Sequence, residues 1–324
     1  TTGGRVLLSE GTFTLGSAAV SIAKNGVTIE GQGKGTIVTC KNSFNLSLFK
    51  LGHASAQYTN CIIRDIYFDG NQANQGATSY TIDNGTLTKP MDNLLIEGCY
   101  LLNAAEAAIY DNPASGGTII YGNHLENWKA ANPAILFASY QAIVTNNYFI
   151  NSSTTAKYIS SNSTTATVVS NRFILPSSYN TTMVNNLYNF SYNTVAMSSG
   201  NLSSSAIVVD SCDIVEGNTI NGGTGNVSSI GIIAYRVVVN NYISGVGTGV
   251  KITVDGSMNI IGNYISVQGH GVHVTATSSV NSIAVIQGNY MRVSKDTSNT
   301  YDCILLAGSS YRSIITGNNM TQGT

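Results

Sequence analysis

Charged side chains are scarce in this 324-residue chain: they make up 10% of it, and the formal net charge is −1. Proteins that hold nucleic acid or an anionic membrane surface need clustered Lys and Arg residues, so this composition argues against diffuse phosphate binding. No apolar run approaches the roughly 18 residues that cross a bilayer. We therefore expect no nucleic-acid partner and no membrane insertion.

Cysteine and histidine are also sparse, with five Cys and four His residues. The Cys count is odd and no two residues share a C-x-x-C spacing, which argues against a zinc site and against a disulfide scaffold. No phosphate-binding loop, nucleophile elbow or metal-binding pair of His residues occurs. We therefore expect no cofactor, no metal ion and buried free thiols.

What the chain has in abundance is a short motif in which an Asn follows an aliphatic residue, a variable residue and usually Gly or Asn. Typical copies read Val-Val-Asn-Asn-Tyr-Ile at 238–243 and Ile-Ile-Gly-Asn-Tyr-Ile at 260–265. Most copies are 22 to 26 residues apart, and looser ones centre on Ile66 and Cys99. The Asn of each copy gives a register mark, at Asn123, Asn147, Asn171, Asn193, Asn218, Asn241, Asn263, Asn289 and Asn318.

A repeat of this length, rich in β-branched and turn residues and without helical spacing, is typical of a solenoid. Each repeat holds two or three short strands and therefore corresponds to one coil of a parallel β-helix. The sequence predicts an all-β, single-stranded parallel β-helix of about eleven to twelve coils, with 22 to 26 residues in a typical coil. We expect one domain over 1–324, with the first coils in 1–39 and the repeated coils in 40–324.

The first coils carry a family resemblance. Gly-Gly-Arg-Val-Leu-Leu-Ser-Glu-Gly-Thr-Phe at 3–13 and Asn-Gly-Val-Thr-Ile-Glu-Gly-Gln-Gly at 25–33 resemble the start of pectate-lyase-like right-handed parallel β-helix proteins. That superfamily includes pectin-degrading enzymes, alginate epimerases and phage tailspikes. The resemblance implies a right-handed helix, a polysaccharide or cell-surface glycan as partner, and an extracellular, cell-surface or virion location.

The repeated Asn residues are expected to form an asparagine ladder. Stacked coil over coil at one bend, their amides can donate to and accept from the next coil. Asn also tolerates the left-handed backbone that a tight bend requires. One residue further along, aromatic residues follow the ladder and predict a stacked column or a sugar-binding strip, at Tyr148, Tyr242, Tyr264 and Tyr290.

A first candidate site lies in 83–129, where charged residues are concentrated beside His124 and the only tryptophan, Trp128. Tyr110 and Asp111 resemble the Tyr and Asp of a Tyr-Gly-Phe-Asp-Pro-His motif of alginate epimerases, although the motif's His has no counterpart. The resemblance implies a catalytic role for Asp111, and we expect Tyr110, His124 and Trp128 to contact substrate. The alternative is that Asp111 is a solvated carboxylate on a loop.

A second candidate site follows from aligning coils on their Asn marks. Lys251 then stacks on His273, and Asp302 falls beside His270. An Asp next to a His can act as a general acid and base. We therefore predict His270 and Asp302 as catalytic residues, and Lys251 and His273 as substrate contacts. Gly-His-Gly at 269–271 resembles a polygalacturonase motif, but the paired aspartates of those enzymes are missing one coil earlier.

Two functions stay open at this point. The first is a protein that engages polysaccharide, with lyase, hydrolase or epimerase activity as an option. The alternative is a non-catalytic rod, a spike or fibre subunit that assembles through coil ends or sides as a homo-oligomer, either a trimer or a filament. This alternative is favoured by the segment 130–209, where Lys157 and Arg172 are the sole charged residues. N-x-S/T sequons are frequent and leave glycosylation open.

Overall fold

The protein is an all-β parallel solenoid of about 11 turns with about 25 residues per turn, which confirms the predicted fold class. It divides into two compact units, 1–171 and 172–324. A single 3₁₀ turn at Gln72–Asn74 is the one helical segment in the described part of the chain. The computed structural model describes 3–322 except 77–78, 113–115, 130–131, 139–140, 163–164, 224–225, 254–256, 276–281, 295–300 and 308–310.

The first unit contains 17 of the strands that the structure describes. They are β1 (Arg5–Leu7), β2 (Gly11–Leu15), β3 (Val20–Ile22), β4 (Val27–Cys40), β5 (Phe49–Leu51), β6 (Thr59–Asp69), β7 (Ile82–Asn84), β8 (Asp92–Glu97), β9 (Tyr100–Leu102), β10 (Ile109–Asp111), β11 (Thr118–Tyr121), β12 (His124–Glu126), β13 (Pro133–Phe137), β14 (Ala142–Thr145), β15 (Tyr148–Ile150), β16 (Lys157–Ser161) and β17 (Thr167–Val169).

The second unit contains a further 17 described strands. They are β18 (Arg172–Leu175), β19 (Thr182–Asn185), β20 (Asn189–Ser191), β21 (Thr194–Met197), β22 (Ile207–Glu216), β23 (Thr219–Asn221), β24 (Ile230–Val239), β25 (Tyr242–Ser244), β26 (Thr248–Ile252), β27 (Met258–Ile261), β28 (Tyr264–Val267), β29 (Val272–Val274), β30 (Ser282–Gln287), β31 (Tyr290–Val293), β32 (Ile304–Leu306), β33 (Tyr311–Thr316) and β34 (Asn319–Gln322).

Within each unit, strands of successive coils pair in parallel and form three ladders. Ladder A holds the strands that precede the asparagine bend, as in β8–β11–β14. Ladder B holds the strands that follow the bend, as in β9–β12–β15. Ladder C holds the third strand of each coil, as in β7–β10–β13. Long strands such as β4 and β6 run through the bend and contribute to both A and B.

The core lies inside the coils because side chains alternate between the two faces of each strand. In ladder B of the first unit the inward column is Phe68, Leu101, Leu125 and Phe149, each with 0% exposure. Burying one such side chain contributes about 1.5–3 kcal/mol. The same alternation sends the neighbouring residues of these strands outward, and so determines which side chains can form a binding surface.

Hydrogen bonds join the Asn residues at the bend between ladders A and B. Asn123 donates from its backbone N–H and from Nδ2 to Asn147 Oδ1, at 2.8 and 2.9 Å, and Asn147 bonds to Asn171 in the same way. Each Nδ2 also donates to a carbonyl of an earlier coil, as from Asn147 to Ile120 O at 2.9 Å. The second unit repeats the pattern through Asn193, Asn218, Asn241, Asn263, Asn289 and Asn318.

The left-handed residue of the bend is the one before the Asn, so the expectation that the Asn itself supplies this conformation is wrong. Gly122, Asn146 and Ser170 have φ values of 67°, 56° and 57°. Because L side chains are strained there, Gly or Asn is favoured at this position, which explains the Gly-Asn and Asn-Asn pairs of the motif. Tyr192 is an exception, with φ 55° on a bulky residue.

Candidate functional site

The outward side chains of ladder B in the first unit form a column of aromatic rings. The strand register places Tyr67, Tyr100, His124 and Tyr148 at equivalent positions on successive coils. Their ring centroids are 6.1, 5.5 and 5.0 Å apart, and neighbouring planes are tilted by 23° to 33°. All four side chains are half-buried, so each presents part of its ring to solvent, and an exposed aromatic ring is a surface that a sugar ring can contact.

Beside this column runs an open groove of about 480 Å³, which we call the aromatic trough. Gly98 and Gly122 lie along it, and their lack of side chains keeps it open. Lys34 lies at the end nearer the chain start, with Nζ 4.5 Å from the centroid of the Tyr100 ring. Asp65 and Asn146 add polar groups to the lining. The trough thus combines aromatic surface with a cation, a carboxylate and an amide.

An imidazole–carboxylate pair lies on β12 in the aromatic column. His124 Nε2 and Glu126 Oε2 are 2.9 Å apart, and their side chains are 30% and 35% exposed. Burial raises the pKa of the Tyr67 phenol, and the negative charges of Asp69 and Glu126 raise it further. Tyr67 therefore stays a neutral hydroxyl that can donate and accept hydrogen bonds. The Tyr67 hydroxyl, the His124 imidazole and the Glu126 carboxylate can form hydrogen bonds with sugar hydroxyls.

The tyrosine column of the second unit has a different geometry. The rings of Tyr242, Tyr264 and Tyr290 are 4.8 and 4.9 Å apart and nearly parallel, at 4° and 7°. At this spacing the faces cover one another, and the ring edges and hydroxyl groups remain for contact. The observed stacking accounts for the fixed offset of these residues from the Asn marks, and Tyr242 and Tyr264 are 44% and 36% exposed.

Asp111 lies on β10 with its carboxyl in the core, since it has 0% exposure. Asn84 Nδ2 donates to Asp111 Oδ1 at 2.8 Å. Burial raises the pKa of Asp111 to about 7; the Asn84 amide and the Thr118 hydroxyl oppose the rise, and the charge of Asp92 adds to it. The alternative of a solvated loop carboxylate is wrong. A polymer cannot reach this group, so the predicted catalytic residue is corrected to a core carboxyl.

Trp128 is also a core residue, with 2% exposure. Its Nε1–H donates to Lys157 O at 2.7 Å, and its ring packs edge-on against Tyr158. A buried indole cannot contact a glycan, so the predicted substrate contact of Trp128 is corrected as well. Tyr110 is half-buried and packs against Tyr80, with the ring centroids 4.8 Å apart.

In the second unit the strand register pairs Lys251 with His273. The rings of His270 and His273 are 5.0 Å apart, and Tyr301 meets His270 edge-on at 5.5 Å. Asp302 lies beside His270, but the contact is a backbone N–H that donates to His270 Nδ1 at 3.3 Å. The Asp302 side chain is exposed. The predicted pairing of its carboxylate with the imidazole is therefore corrected to a main-chain contact.

Comparison with known proteins matches the chain to solved structures at low sequence identity. The catalytic unit of a GH87 α-1,3-glucanase from Streptomyces thermodiastaticus has 11% identity and a TM-score of 0.60, over 97% of this chain and 63% of that one. The tailspike of E. coli bacteriophage HK620 has 12% identity and a TM-score of 0.55, over 98% of this chain and 60% of that one. A mannuronan C-5 epimerase A-module from Azotobacter vinelandii has 15% identity and a TM-score of 0.50, over 99% of this chain and 91% of that one.

The chain has the right-handed parallel β-helix fold. This confirms the resemblance of the first coils at the level of the fold. The chain spans less than two thirds of the glucanase and of the tailspike that it matches. No protein-family model matches it, and no curated protein sequence does.

Several polar and aromatic residues of the site escaped the sequence prediction, namely Lys34, Asp65, Tyr100 and Asn146 in the trough and Tyr67 and Glu126 beside it. Tyr100 has the same offset from Cys99 as Tyr148 has from Asn147, so the register of the looser motif copy already indicated it. Lys34 and Asp65 come from earlier coils, and only the structure shows that they line the same groove. Among the described residues no helix could span a membrane, and no three metal-ligating side chains come together.

Proposed function

We propose that this β-helix protein binds a polysaccharide along the aromatic trough. The observation that carries the proposal is the tilted column of Tyr67, Tyr100, His124 and Tyr148 beside an open groove with polar groups. Ligand sites combine apolar, often aromatic walls with a few polar groups that fix orientation, and the trough has both. The likeness to a glucanase, an epimerase module and a tailspike supports the proposal at the level of fold alone.

The polar groups give each part of a bound sugar chain a partner. Sugar rings contact the exposed parts of the Tyr100 and Tyr148 rings, while sugar hydroxyls bond to the His124–Glu126 pair and to Asn146. The Lys34 ammonium donates hydrogen bonds to an anionic substituent at one end. Because such chains are met outside cells, the proposal includes an extracellular, cell-surface or virion location. A lyase, hydrolase or epimerase step is a separate outcome that the binding experiment also records.

The test is a binding screen of polyuronates and capsular glycans with the wild-type protein, followed by Tyr100→Ala. Removing one packed ring is expected to weaken binding about three- to tenfold. Tyr264→Ala, in the closely stacked column of the second unit, is the matched control and is expected to bind as the wild type does. Analysis of the glycans after incubation shows whether chains are cleaved or epimerised. The proposal fails if no glycan binds, or if both variants lose affinity equally.

A second candidate function is a structural subunit that assembles side by side, favoured by an exposed apolar stripe on ladder A of the first unit. The register aligns Ile62, Leu95, Ile119 and Ile143, of which Ile119 and Ile143 are 40% and 42% exposed. An apolar stripe of this kind is typical of a protein interface. Sedimentation of Ile119→Lys/Ile143→Lys tests it: a shift from oligomer to monomer supports a subunit that assembles through this stripe, and an unchanged mass contradicts it.

A further inference from the structure

Three groups able to carry positive charge meet on the outer surface of the second unit, and the trough proposal does not use them. Lys251 on β26 and His273 on β29 are register partners on adjacent strands. His270, just before β29, places its ring 5.0 Å from that of His273. All three side chains are partly exposed. We call them the cationic cluster.

We propose that the cationic cluster is a binding site for an oxyanion, such as a carboxylate or sulfate group. Like charges held together on a surface repel one another, and an anion placed among them relieves that repulsion. Lys supplies a point charge, and an imidazole N–H is a hydrogen-bond donor to an oxyanion. The site does not depend on glycan binding in the trough.

The backbone contact from Asp302 defines how His270 takes part. Because Asp302 N–H donates to His270 Nδ1, that nitrogen is an acceptor and the proton of the neutral ring is on Nε2. The Nε2–H is then free to donate to a ligand. The Tyr301 ring meets His270 edge-on and limits its rotation. His270 is thus held as an oriented donor instead of rotating freely.

The charges around His273 explain why an anion would bind there more tightly at low pH. Burial lowers the pKa of His273, and the nearby His270 and Lys251 lower it further. An oxyanion among the three groups reverses these effects, so it raises the pKa of His273 and binds best when the ring is protonated. The described groups that face the imidazoles are Lys251, Tyr301 and Asp302, and Asp302 is the one acid among them.

The four His residues of the chain allow a direct test by proton NMR, with single His→Gln variants to assign the imidazole signals. Sodium sulfate is titrated into the full chain at pH 5.5 and pH 7.5. We expect the His270 and His273 signals to move, with affinity about tenfold weaker at pH 7.5. His53, whose ring Nδ1 accepts from Ser55 and Ala56, is the internal control.

Variants and a matched sugar pair complete the experiment. Lys251→Met is expected to weaken sulfate binding about tenfold, and Lys251→Arg to restore it. Glucuronate, compared with uncharged glucose, shows whether the anion can be carried by a sugar. The proposal is overturned if sulfate moves the His53 signal as much as the other two, or moves none. A shift of the His124 signal alone would show that sulfate binds in the trough and not at the cationic cluster. The cationic cluster proposal would then fail, and the trough proposal would stand.

Discussion

Replacing Asp111 with Asn is expected to stabilise the protein at pH 8 and to change its stability little at pH 4. The carboxyl is fully buried, and burial raises its pKa from 3.8 to about 7. Asn keeps the shape and the acceptor for Asn84 Nδ2. Its amide NH₂ takes the place of Oδ2, the other oxygen of the buried carboxyl. The variant thus removes a charge that the core must otherwise accept.

The size and sign of the effect follow from the raised pKa of Asp111. Between about pH 4 and pH 7 the folded state binds the proton that the unfolded state has lost, so stability falls as the pH rises through this range. A shift of this size corresponds to roughly 4 kcal/mol of unfolding free energy at pH 8. Below pH 4 the carboxyl is largely protonated in both states and the penalty disappears.

Urea unfolding of wild type and Asp111→Asn at pH 4, 6 and 8 measures this difference. The wild type is expected to lose stability toward pH 8, and the variant is expected to lose markedly less. Asp302→Asn, at an exposed carboxylate, is the matched control and should follow the wild type. If Asp111→Asn destabilises the protein equally at pH 4 and pH 8, the carboxyl is not a buried acid and the reasoning is refuted.

Two further predictions concern the bends and the thiols. The new Cβ of Gly288→Ala meets no neighbouring atom, so this variant should lose about 1 kcal/mol of stability from its φ of 64° alone. The Cβ of Gly217→Ala would lie 2.6 Å from the Tyr192 ring, so this variant should lose about 1 kcal/mol more. Equal losses in thermal unfolding would contradict this. Burial raises the pKa of the Cys61 thiol to about 12, whereas Cys303 is partly exposed. Iodoacetamide at pH 8 should therefore label Cys303 first. Simultaneous labelling would show that Cys61 is not buried.

The repeat made the fold predictable because each coil must place the same bend at the same point. The spacing of the Asn marks gave the length of a coil and the pairing of Lys251 with His273. The position of the left-handed residue was missed, although the Gly or Asn that precedes most of the ladder Asn residues was an available signal.

The candidate site was harder to predict because it depends on which way a side chain faces and on contacts between coils. Ile109 and Asp111 lie two apart on one strand and share its inward face, so alternation already indicated a buried carboxyl. Trp128 follows β12 and offers no such alternation. The groove between Lys34 and Tyr100 joins residues 66 positions apart, and no local pattern connects them.

The most direct test of glycan binding in the trough is hydrogen–deuterium exchange of the full chain with and without the tightest-binding oligosaccharide from the screen. We expect slower exchange around 98–100, 122–124 and 146–148, the three segments that line the trough. Protection in other parts of the chain, with exchange in these three segments unchanged, would contradict the central claim.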